Sequence, residues 1–96
     1  MSEDINLIKL CERNDARAQK ALYEKYRSYW FVICLRYSNN DSDAGDILQN
    51  TLINIFLKLK QFDASKGRFK SWSSKVVVNE CIMFIRKNKK YQFESD

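Results

Sequence analysis

Residues 38–60 read SNNDSDAGDILQNTLINIFLKLK, and this stretch decides the fold. It opens on a polar cluster whose side-chain oxygens can take up the free backbone donors of a helix start. Asp41, Asp43 and Asp46 fall around the first turns, where the helix dipole favours negative charge. Behind them Ala44, Ile47, Leu48, Thr51, Ile55 and Leu59 recur at helical spacing. They predict a core-facing stripe on a helix that runs to about Lys60.

The same helix carries a second face. Asp46, Gln49, Asn50, Ile53 and Leu57 share one side, acidic and amide-bearing at its start and aliphatic at its end. Two readings fit: an exposed patch for a partner, or a surface covered by a further helix, such as an N-terminal one. Periodicity does not choose between them.

Working outward, Asn14 and Asp15 offer a helix cap after a short first helix at about Asp4–Arg13, whose Ile5, Ile8 and Cys11 share a side. Ala18, Leu22, Tyr26, Tyr29, Ile33 and Tyr37 then predict a second helix ending near Tyr37. Downstream, QFDASKGR reads as a loop in which Gly67 can take a positive φ. A last helix is expected from Phe69 to about Lys90. Val76, Val77 and Val78 alone would favour a strand, but their flanks keep helical spacing and no partner strand is visible. Residues 92–96 read as a frayed tail or the start of a linker.

Composition agrees with an all-α bundle of about four helices. In 96 residues there is no proline and only two glycines, Gly45 and Gly67. A sandwich or barrel needs a turn signal every ~8–12 residues, which this chain does not supply. Without a membrane-length apolar run or a signal-peptide layout, the chain is expected to be soluble and cytoplasmic.

Charge is unevenly spread. Residues 1–59 hold eight basic and eight acidic side chains, whereas residues 60–91 hold nine basic against two acidic. Such asymmetry points to nucleic acid or an acidic partner; a lysine-rich solvated helix end is the alternative. Lys66, Arg68, Lys70, Lys75, Arg86, Lys87, Lys89 and Lys90 are interleaved with Phe69, Trp72 and Tyr91. Cations neutralise phosphates, and aromatics give unstacked bases a surface. Lys75, Asn79 and Arg86 share a face with Ile82, so Asn79 can address a base edge or hold a loop in shape. Core packing is the expected role of at least one of Phe69 and Trp72.

Catalysis is not expected. The chain has no histidine, its acids cluster at helix starts, and its two glycines cannot build a phosphate loop. Cys11, Cys34 and Cys81 form no CxxC pair, so no metal or cofactor is expected. They are expected to be small buried hydrophobes in a reducing compartment.

Three stretches together, ALYEKYRSYWFVICLRYSNNDSDAGDILQNTL, FDASKGRFKSW and VVVNECIMFIRKNKK, resemble region 2 of sigma-70 family RNA polymerase factors, in particular the extracytoplasmic-function (ECF) type. The likeness covers about Ala16 to Tyr91 with order and spacing kept. It implies a domain over residues 1–91 that binds core polymerase and recognises and melts the promoter minus-ten element. Asp43, Asp46, Gln49 and Asn50, with Ile53 or Leu57 nearby, would contact the clamp helices of the β′ subunit. The loop Asp63–Arg68 would capture a base flipped from the minus-ten non-template strand. Phe69, Trp72, Lys75 and Asn79 would shape that path, and Arg86, Lys87 and Lys90 would hold phosphates. An anti-sigma factor is a further candidate partner, and a monomer without membrane contact is expected.

The chain departs from the family pattern in three places. Gly45 and Asn50 stand where glutamates are common, and Met83 stands where aspartate often follows the asparagine by four. A complete ECF factor also has a second DNA-binding domain, region 4, absent here. That implies a shortened chain or else a standalone domain. The competing class is a small helical adaptor whose basic face meets RNA or an acidic protein, with no polymerase contact.

Overall fold

The computed structural model describes the backbone of residues 2–95 and the side chains of residues 4–88. Four helices follow in order: α1 (Ser2–Glu12), α2 (Ala16–Tyr37), α3 (Asp41–Leu57) and α4 (Phe69–Ser95). Short 3-10 turns at Leu59–Gln61 and Ala64–Lys66 join the last two. Helices α2, α3 and α4 pack against one another, and α1 lies on α2 and touches the Leu59–Gln61 turn. No strand occurs among the described residues.

Local chemistry sets the boundaries. Asn14 takes a left-handed φ of 64°, which its short polar side chain tolerates, and so ends α1. One residue later Asp15 Oδ1 accepts from the backbone N–H of Arg17 at 3.0 Å and Ala18 at 3.1 Å, capping α2. Asn40 Oδ1 accepts from the Asp43 N–H at 2.8 Å and caps α3. Gly67 sits at φ 159°, ψ −178°, a conformation essentially reserved for glycine.

Two boundaries differ from expectation. Helix α3 stops at Leu57 rather than about Lys60, because the chain tightens into i→i+3 bonds: Gln61 N–H to Lys58 O at 2.8 Å and Phe62 N–H to Leu59 O at 3.1 Å. This turns the backbone while keeping Leu59 in the core. Helix α4 runs to Ser95 rather than Lys90, since no proline or glycine interrupts it. The valine run lies inside this helix.

The core gathers Leu22, Trp30, Cys34, Ala44, Ile47, Ile55, Leu59, Val77 and Cys81. The expected stripe of α3 is buried apart from the half-buried Leu48. That of α2 is corrected in two places: Tyr37 is exposed and Tyr29 half-buried, while Trp30 and Cys34 lie fully inside. Three neighbours surround α2, so its buried face is wider than one stripe. All three cysteines are buried, as expected. Burial pushes the Cys11 thiol up to about 11 and Cys34 up to about 12, and raises Cys81. The Cys34 and Cys81 thiols interact across the α2–α4 seam.

Candidate nucleic-acid and partner interfaces

Three surface regions contain the residues singled out in the sequence. The first is the outer face of α3. Asp46, Gln49 and Asn50 are exposed, and Ile53 and Leu57 are 58% and 74% exposed. No described residue covers the aliphatic pair, because α1 has gone to α2. Their exposure rules out the covered reading.

Asp43 departs from this group. It is half-buried, its N–H is spent on the Asn40 cap, and its carboxylate receives Asn40 Nδ2 at 3.4 Å. It faces a small hollow of about 190 Å³ shared with Tyr37 and Asn88. Asp46, Gln49 and Asn50 instead line a groove of about 550 Å³ whose far wall is Glu80, Met83 and Lys87 of α4. Lys87 thus lines the same groove as the acidic and amide face of α3. It is exposed and lies about 100° around α4 from Arg86. Asn54 Nδ2 donates to Glu80 Oε1 and ties the two helices together beside this groove.

The second region is the side of α4 opposite the buried Val77 and Cys81. Lys75, Asn79 and Arg86 are exposed there around the half-buried Ile82, as their spacing predicts. The side chain of Lys90 lies outside the described residues.

The third is a cleft of about 680 Å³ beneath the loop, with Ala64, Ser65, Lys66, Gly67 and Arg68 on one side and Phe62, Phe69 and Lys70 below. The far wall is Asp4, Ile5 and Ile8 of α1 with Tyr26 of α2. Asp63 shapes the loop: its Oδ1 accepts from the Ser65 backbone at 2.9 Å and the Ser65 hydroxyl at 2.6 Å. Those bonds hold its carboxyl below the usual carboxylate range.

Phe69 is only 3% exposed. It packs edge-on to Tyr26 at 5.3 Å, Trp30 at 6.4 Å and Phe62 at 5.5 Å, so it is core as well as floor. Trp72 is half-buried and leans on Phe62 and Phe69, with ring centroids at 5.5 and 5.8 Å. Lys70 Nζ sits 4.4 Å above the ring of Tyr29, which positions that cation at the cleft's edge.

Sequence reasoning missed Asp4, Tyr26 and Phe62 as cleft walls. Phe62 was within reach as the aromatic preceding the loop. Asp4 lies far from that loop in sequence, and no local pattern links them. The Asp4 carboxylate accepts from Lys25 Nζ and from Tyr26 Oη. Partial burial pushes its pKa up, but these two donors outweigh burial and hold it below the ordinary value.

A helical bundle with a basic, aromatic-floored loop before its last helix, and a half-polar, half-aliphatic helix face elsewhere, has the architecture of a sigma-factor domain. The chain belongs to the sigma-70 region 2 family, whose model matches residues 22–91. It is similar to the ECF RNA polymerase sigma factor SigW of Bacillus subtilis (strain 168), 28% identical over 82 residues. That match takes in 85% of this chain and 43% of the relative, so the chain spans about two fifths of the relative's length. In fold it is similar to an engineered region 2 of sigmaE solved by NMR in complex with GTAAAA. That likeness has a TM-score of 0.80 at 21% identity and covers 88% of this chain and 87% of the other. No described helix is long and apolar enough to cross a membrane.

Proposed function

We propose that residues 1–91 form the promoter-opening domain of an ECF-type sigma factor, acting without catalysis. The outer face of α3 grips core RNA polymerase through the β′ clamp helices. The loop cleft and the Lys75–Asn79–Arg86 face of α4 hold the minus-ten non-template strand. The observation that carries this reading is the separation of the two faces. A basic cleft with an aromatic floor stands apart from an exposed patch that ends in Ile53 and Leu57, so one domain can hold a strand and a protein together.

The physics of opening needs no covalent step. A base cannot be read on its Watson–Crick edge inside the duplex, and extruding it costs a few kcal/mol, roughly. Stacking recovers ~1–3 kcal/mol per base, while Lys66, Arg68 and Lys70 neutralise phosphates near the cleft. The open strand is then captured because it is bound better than the closed one. The hexamer GTAAAA bound by the sigmaE domain supports a single strand as the ligand class.

Titration of the chain against a β′ clamp-helix fragment tests the polymerase arm. Asp46→Ala combined with Gln49→Ala is expected to weaken binding about tenfold or more, with helix content unchanged by circular dichroism. A wild-type chain that ignores the fragment would instead place the protein among small helical adaptors.

A further inference from the structure

We propose that Asp4 is a specificity-determining residue of the loop cleft, selecting a nucleobase with an amino group on its edge (guanine, cytosine or adenine) over thymine. This rests on the reading of the cleft as a single-strand site. Asp4 belongs to α1, outside the stretch matched by the family model, yet it lines the same cleft as the loop residues Lys66 and Arg68.

Three observations carry the assignment. First, the carboxylate is fixed from behind, with one oxygen bonded to Lys25 and the other to Tyr26. A carboxylate offers about four acceptor sites and no donor when ionised, so about two remain for a ligand. Second, the two donors that fix it also keep it charged. Third, its surroundings sort a nucleotide into two ends. Lys66, Arg68 and Lys70 are exposed cations at the loop side, where a phosphate is favoured, whereas the ionised carboxylate at the α1 wall, paired with Lys25, has only acceptor sites left and offers a phosphate oxygen no donor. The group that suits that wall is a hydrogen-bond donor on a base. Guanine, cytosine and adenine each bring an exocyclic amine. Thymine has none: its single donor, N3–H, is flanked by two carbonyl oxygens that an ionised carboxylate repels.

Single-stranded hexamers that are abasic at all positions but one keep the phosphate attraction constant and vary only the base. Fluorescence anisotropy of the full chain should give cytosine an affinity at least about fivefold above thymine, at the low end of discrimination by one good base contact. Asp4→Asn, which can still accept from Tyr26, should bring that ratio close to one. On the unaltered protein, replacing cytosine by N4,N4-dimethylcytosine removes the donor without any mutation and should lower affinity to the thymine level. If the base-bearing strands rank alike, or if both Asp4→Asn and the dimethylated base leave the ranking intact, Asp4 only fastens α1 to α2. If no base-bearing strand outperforms the fully abasic one, the single-strand reading of the cleft itself fails.

Discussion

Trp30 Nε1 donates to Ser73 Oγ at 3.0 Å across the interior between α2 and α4, and both residues are fully buried. The hydroxyl in turn donates to the Lys70 carbonyl at 3.1 Å, so both side-chain polar atoms of the pair are satisfied. Ser73→Ala would leave the indole N–H buried and unpaired, which costs about 1–3 kcal/mol. Urea unfolding followed by tryptophan fluorescence measures this directly. A loss below about 0.5 kcal/mol, the range of ordinary surface changes, would mean that the indole finds another acceptor.

The relation also shows which parts of the fold were legible. Periodicity placed four helices and the α3 stripe correctly, because α3 shows a single face to the interior. On α2 it placed Tyr29 and Tyr37 in the stripe and left out Trp30, because that helix packs against three others. The exposure of Ile53 and Leu57 could not be read from spacing, since it depends on where α1 docks. The basic and amide residues of the site were legible from composition. Its α1 wall was not, because Asp4 and the loop come to line one cleft only once the chain has folded.

Gly45 is held in helix α3 without a packing reason, since a Cβ built there meets nothing within 4 Å. Gly45→Ala should therefore stabilise the chain by up to about 1 kcal/mol, or roughly 4–8 °C in Tm for a domain of this size. Differential scanning calorimetry checks it. A lowered Tm would show that the glycine relieves a strain that the helix conceals.

Asp4 gives stability a pH dependence of defined sign. Its folded pKa is depressed by Lys25 and Tyr26 against the opposing effect of burial. The stabilisation is thus present above the ordinary carboxylate value of about 4 and is lost as pH falls through the folded pKa. Wild type should be more stable than Asp4→Asn at pH 7, and their urea midpoints should converge as pH falls toward about 3. Parallel curves over that range would remove Asp4 from the acid response.

The thiols predict the opposite limb. Burial, first of all, raises Cys11 to about 11 and Cys34 to about 12, with Cys81 also raised. Groups held protonated in the fold contribute stability that is complete below their unfolded pKa of about 8.5 and is lost as pH rises toward the folded values. At pH 8 the native chain should react slowly with iodoacetamide, and all three cysteines should label quickly in denaturant. Mass spectrometry counts the adducts. Fast native labelling of Cys34 or Cys81 would mean that the α2–α4 seam opens readily.

Ile55 and Leu57 stand two residues apart on α3 and should separate stability from partner binding. Ile55 is fully buried, whereas Leu57 is 74% exposed. Ile55→Ala should cost about 2–5 kcal/mol by leaving a cavity among α2, α3 and α4. Leu57→Ser should change stability by less than about 0.5 kcal/mol, because its side chain is already in water. If the α3 face grips the β′ clamp helices, Leu57→Ser should nonetheless weaken that complex by about fivefold or more, with Ile53→Ser behaving alike. An aliphatic pair held exposed for a partner loses affinity without losing fold. Full affinity in both variants would confine the contact to Asp46, Gln49 and Asn50 and make the two side chains incidental surface.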